Sequence, residues 1–207
     1  MSHATNSNYA AIDGQVGQVG QLDVCPKPAK RFRRASDVEI SQPKWLWHDR
    51  IPIGNITVLE GVPGHGKSVV SYDIAACVTL GKSIPHRDHD RAHPAGVVIL
   101  QGEDDHNSTV SCLEEGGADL NRIILIEDLN LPDHLSELEQ AVVEVQAKLL
   151  IIDPISSFFR LSVNNDQSVR RVLSPLRRLA QRHELAVLLV RHQRKSNPSL
   201  NEYKGAG

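Results

Sequence analysis

The chain lacks any apolar run approaching the ~20 residues that a membrane-crossing helix requires, so a helical membrane protein is not its design. Its opening, "MSHATNSNYAAIDGQ", has neither the basic flank nor the apolar stretch of a secretory signal, and a cytoplasmic location is the expectation. Cysteine is scarce: Cys25, Cys77 and Cys112 are odd in number, widely spaced and form no C-x-x-C pair, which argues against a disulfide framework and a zinc knuckle alike. Compositional bias is also missing. With 40% hydrophobic and 23% charged residues, the chain resembles neither a disordered nor a fibrous protein. His86, His89 and His93 in "HRDHDRAH" sit among arginines and aspartates before a proline, without a helical or strand frame, and so read as a polar loop rather than a metal site.

At 207 residues the chain has room for one sizeable domain and a tail. Residues 1–43 show no sustained periodicity. They include the low-complexity "GQVGQVGQ" and the segment "KPAKRFRR", which holds five cations in eight positions, so they read as a flexible, partly basic arm. The formal charge of −2 hides an uneven distribution: 13 acidic against 2 basic residues from Gln101 to Asp153, then 10 basic against 3 acidic from Pro154 to Gly207. That reversal hints at a polyanion-facing surface in the last quarter, although a solvated helix face produces the same count.

From Lys44 onward short apolar runs alternate with helical periods. "ITVLEG" (56–61), "VVILQG" (97–102), "RIILIE" (122–127), "LLIID" (149–153) and "AVLLV" (186–190) read as strands. Helices are expected over 67–80, around Leu135, Leu138, Val142 and Val145, and from Val169 to Ala180, where Pro175 should kink or end the last one. Strands apolar on both faces and alternating with helices predict an α/β fold in three layers, with a mainly parallel sheet covered on both sides. Such sheets bind their ligands at the carboxyl ends of the strands. The residues of chemical interest follow those ends.

"GVPGHGKS" fits G-x-x-x-x-G-K-[ST], with a strand before it and a helix after it. The backbone of Gly61, Val62, Pro63, Gly64, His65, Gly66, Lys67, Ser68 and Val69 is expected to wrap a triphosphate at a helix N-terminus, with Lys67 on the β and γ phosphates and the Ser68 hydroxyl on Mg²⁺. Asp153, closing a buried strand, is the expected carboxylate partner of that metal, although a turn-forming Asp before Pro154 is the simpler alternative. In "LQGEDD", Glu103 is placed to orient or deprotonate an attacking water; Asp104 and Asp105 are rivals, and the triplet could equally be a helix N-cap cluster. "VRHQRK" puts Arg191, His192, Arg194 and Lys195 after the last strand, where cations sense a γ-phosphate, meet a nucleic-acid backbone, or are simply solvated.

Together "WLWHDRIPIGNITVLEGVPGHGKS", "VVILQGEDD", "LLIIDPISSFF" and "AVLLVRHQRKS" resemble the RepA-like ATPases of the RecA/DnaB superfamily over about 44–207. The resemblance implies a RecA-like P-loop NTPase core that binds and hydrolyses ATP with Mg²⁺, acts on DNA (single strands by preference) in replication or as a helicase, and works as a hexameric ring. By it Lys67 and Ser68 are the P-loop pair, Glu103 is similar to the catalytic glutamate, Asp153 to the metal-supporting aspartate, and His192 to a histidine near the γ-phosphate. It also implies that the loops 156–165 and 193–204 face DNA, with Arg160, Arg194 and Lys195 as contacts. Two departures stand out. "HNSTVSCLEEGGAD" has none of the arginines found in the family's corresponding helix. The family pattern also continues beyond "YKGAG" into further strands and an arginine that reaches a neighbouring subunit, so a sheet incomplete at its C-terminus is expected. Two other readings use the same loop: an ATP-binding regulatory or loading module without hydrolysis, and a small-molecule kinase, for which no arginine-rich lid is present.

Overall fold

The computed structural model describes residues 34–38, 42–84, 93–103, 106–159 and 166–192, with the backbone alone at 166–168. The chain divides into two units, Met1–Ser41 and Gln42–Gly207. In the first, the described residues form a short, exposed 3-10 turn at Ala35–Asp37.

The second unit opens on an antiparallel hairpin, β1 (Trp45–Trp47) and β2 (Ile51–Pro52), turned at Asp49 with a left-handed φ of 59°. Then follow β3 (Ile56–Gly61), α1 (Lys67–Leu80), β4 (Gly96–Gln101), α2 (His106–Glu115), β5 (Ile123–Ile126), α3 (Leu135–Glu144), β6 (Ala147–Asp153), the single turn α4 (Ile155–Phe158), α5 (Asp166–His183) and β7 (Ala186–His192). Strands β3 to β7 form one parallel sheet in the order β3-β7-β6-β4-β5. The α/β fold and the parallel sheet expected from the apolar runs are therefore present.

The alternation of side chains explains the layers. Val97 and Ile99, Leu149 and Ile151, and Ala186, Leu188 and Val190 face α1, packing with Tyr72, Ile74, Ala75 and Val78. Their intervening neighbours Val98, Leu100, Leu150, Ile152, Val187 and Leu189 face α3 and α5, packing with Leu138, Val142, Val172, Leu176 and Leu179. Both faces are therefore dry, which is why these strands read as unbroken apolar runs. Strand β4 is buried from end to end. Gly96, at its start, lies so close to the Val145 carbonyl that an added Cβ would stand 2.0 Å from the oxygen.

Helix α5 runs without interruption through Pro175. Its apolar stripe of Val172, Leu176, Leu179 and Ala180 is fully buried, and this packing holds the helix together across a residue that cannot donate to the preceding turn. At its end Arg182 and His183 both donate to Glu139 of α3 at 2.7 Å. These bonds, the one from His183 foremost, hold the Glu139 carboxyl below its ordinary range. The expected loop from 156 onward begins instead inside α4, because Ile155 and Phe158, three apart, turn onto the core and the Phe158 carbonyl accepts from Leu131 N at 3.0 Å. No helix among the described residues is long and apolar enough to cross a membrane.

Candidate nucleotide site

The turn between β3 and α1 is built by backbone conformation. Gly64 and Gly66 have φ values of 78° and 72°, in the left-handed region that a Cβ disfavours, and a Cβ at either would meet nothing within 4 Å. The requirement for glycine here is conformational rather than steric. Gly66 stands at the N-cap of α1 and makes no side-chain cap, so the first amides of that helix point into the loop. Lys67 is 7% exposed, and its ammonium donates to the Val62 carbonyl at 2.9 Å, folding the side chain back across the turn. The Gly61 Cα borders that side chain: an added Cβ would lie 3.5 Å from Lys67 Cδ, an ordinary contact. Val62, Pro63, Gly64, His65 and Val69 are exposed, Ser68 is half-buried, and His65 Nδ1 is held 3.1 Å from the Pro63 carbonyl.

Sheet register brings the other candidates to the same end. Gly61 pairs with His192 and Glu60 with Arg191 between β3 and β7, while Gln101 pairs with Asp153 between β4 and β6. By alternation from the core residues before them, Gln101, Asp153 and His192 lie on the α1 face, the face that carries the glycine-rich turn. Asp153 is 5% exposed and Gln101 2%. Strands β7 and β4 flank β6, and His192 Nε2 meets Glu103 Oε2 at 3.2 Å, so this pair joins the two flanking strands across the end at which Asp153 sits. His192 Nδ1 is enclosed and has no hydrogen-bond partner among the described residues.

Sequence reasoning missed three contributors. Glu60 carries an ion pair to Arg191 at 3.7 Å, beside the turn. Gln101 is a buried amide in register with Asp153; its signal was a polar residue closing an apolar run. Gly102 donates its N–H to the Asp153 carbonyl at 3.0 Å and lies against Ser157 of α4, where an added Cβ would be 2.3 Å from the serine Cβ. Asp104, Asp105, Arg160, Arg194, Lys195, His86 and His89 lie outside the described residues. His93 is exposed.

No group of three or more His, Cys, Asp or Glu side chains that could hold a metal occurs among the described residues. One hydroxyl at a helix start and one buried carboxylate at a strand end still fit Mg²⁺, which keeps most of its waters and is held through one or two carboxylates and substrate phosphates. A cleft of about 950 Å³ opens elsewhere, at the amino ends of the strands, lined by Trp45, Trp47, His48, Lys82, Gly96 and Lys148. Cavity volume points there; but phosphates are bound by exposed backbone amides, which need no deep hollow, and the motif geometry is the better guide.

A parallel sheet whose first strand runs through a glycine-rich turn into a helix, and whose aspartate-ended strand is separated from it by one inserted strand, defines a P-loop NTPase core of RecA-like type. The model of the AAA domain family matches residues 25–198, and the chain belongs to that family of ATP-binding ATPase domains. No curated protein matches the chain.

Proposed function

We propose that the protein is a Mg²⁺-dependent ATPase of the RepA-like branch of the RecA/DnaB superfamily, acting on DNA in replication or a related process. The observation that carries the reading is the His192–Glu103 pair spanning the strand end of Asp153, on the face that also holds the P-loop turn. The backbone N–H groups of 61–69, Pro63 apart, hold the triphosphate, and Lys67 exchanges its Val62 carbonyl for phosphate oxygens. Ser68 and Asp153 would hold the magnesium, which would neutralise charge building on the phosphoryl oxygens. Glu103 accepts the proton of the attacking water, and His192 fixes the orientation of that carboxylate while standing where a γ-phosphate would be sensed. In this reading the segments after β6 and β7, with Arg160, Arg194 and Lys195, meet single-stranded DNA, and a hexameric ring couples the subunits.

The test is turnover of Mg-ATP by the wild type and by Glu103→Gln, with and without single-stranded DNA. The wild type should hydrolyse ATP and be stimulated by DNA, and Glu103→Gln should retain ATP binding while losing about 10²–10⁴-fold in rate. One observation favours a second reading: α2, the helix after Glu103, carries no arginine. ATP affinity without turnover, even with DNA present, would select a regulatory or loading module instead. A wild type that binds no ATP would sink both.

A further inference from the structure

Helix α5 divides its surface between two chemistries. Val172, Leu176, Leu179 and Ala180 are buried on the sheet, while Arg170, Arg171, Ser174, Arg177 and Arg178 are all exposed. At ~100° per residue these five positions share a sector roughly 120° wide, centred opposite the buried stripe. A shallow depression on it is lined by Arg170, Arg171, Ser174, Pro175 and Arg178. Among the described residues, no carboxylate pairs with any of the four arginines; the ion pairs of this helix are made by Arg182 and His183, at its end.

We propose that this arginine row is a docking surface for the phosphodiester backbone of nucleic acid. Four cations on one helical face that meet no carboxylate among the described residues repel each other and attract an external counter-charge. The guanidinium is a planar fork that matches phosphate oxygens two at a time, and the Ser174 hydroxyl lies between the two arginine pairs as a neutral donor. The pairs are about 10.5 Å apart along the helix, far enough to engage different phosphates of one strand. The carboxylates of a second copy carry the opposite charge as well. They are scattered, however, over α2, α3 and the segments between them, at Glu114, Glu115, Asp128, Glu137 and Glu144. A straight row of cations along one helix face matches a linear polyanion better. The row also lies on the sheet face opposite α1, so it is separate from the nucleotide site. The inference rests on DNA being the partner and is independent of hydrolysis.

The experiment measures fluorescence anisotropy of a labelled oligothymidylate, without nucleotide, against the full chain across a salt series. The variants are Arg170→Gln/Arg171→Gln/Arg177→Gln/Arg178→Gln, its all-lysine counterpart, and the double variant Arg177→Gln/Arg178→Gln should the first not fold. Mg-ATP affinity and thermal melting verify folding. The quadruple glutamine variant should bind at least ~10-fold more weakly near 0.1 M salt and lose about 2–3 from the slope of log K against log salt, with about half that slope change in the double variant and little in the lysine variant. Wild-type affinity retained by the glutamine variants would overturn the proposal while leaving the DNA reading intact, and more so if they lost self-association instead. A wild type that binds no oligothymidylate would overturn both.

Discussion

The two ends of the parallel sheet invite comparison. The amino end carries the large cleft, walled by Trp45, Trp47 and cations such as Lys82 and Lys148. Its charges are largely engaged locally: His48 with Asp49 at 2.9 Å, Arg50 over the Trp47 ring at 5.4 Å, and Lys148 with the His183 carbonyl at 3.2 Å. At the carboxyl end register aligns Gly61 with His192 and Gln101 with Asp153, and Glu103 closes onto His192. The difference teaches that in this fold chemical capacity follows the direction of the strands rather than the depth of a hollow, because helix N-termini and polar strand ends gather at one end only.

The most forceful way to break that comparison is to mutate both ends. Lys67→Ala should reduce ATP turnover by at least ~10²-fold, since it removes a charge aimed at the phosphates, whereas Trp47→Ala at the cleft should leave turnover within about 2-fold. Steady-state hydrolysis assays decide, and a Trp47→Ala enzyme as damaged as Lys67→Ala would reverse the assignment of ends.

A second change sharpens the comparison by deforming the carboxyl end without touching a charge. Gly102→Ala would place its Cβ 2.3 Å from Ser157 Cβ and 3.2 Å from the Phe158 ring, so α4 must move away from β4. Overpacking of this kind costs about 1–3 kcal/mol, which denaturant titration would register. Because Gly102 also bonds the Asp153 carbonyl and precedes Glu103, turnover should fall with stability. Unchanged unfolding midpoints would mean the two elements separate freely.

The smallest effect lies on the α3–α5 seam. The Glu139 carboxyl is held below its ordinary value of 4.5 in the folded chain, so its bonds to His183 and Arg182 stabilise the fold above that pH and lose effect as pH falls through the lowered value. Glu139→Gln should lower the melting temperature by about 1–3 °C near neutral pH. That gap should narrow below pH ~4.5; melts that stay equally separated in acid would show the carboxylate is not its source.

Much of the fold was legible because the central runs of β4, β6 and β7, 97–100, 149–152 and 186–190, are buried on both faces and therefore apolar. The helix expected over 67–80 is present, flanked by Gly66 and Gly81 in left-handed conformations. The hairpin β1–β2 was not legible: strands of three and two residues, one ending in proline, carry no periodicity, and long-range packing decides them. Nor was α4, whose one turn is imposed by burial of Phe158. For the site, sequence could place Lys67, Glu103, Asp153 and His192 after strands or at a helix start. It could not order the strands, so the meeting of His192 with Glu103 across β6 was visible only once the sheet order was known.

Strand β6 has a hydrogen-bonded neighbour along each side and a helical layer over each face. Amide protons from Leu149 to Ile152 can therefore reach deuterated solvent only when the whole domain opens, whereas β3 and β5, at the sheet margins among the described residues, can trade theirs through local fraying. Asp153 thus closes one of the interior strands, anchored away from the margins where local fraying begins.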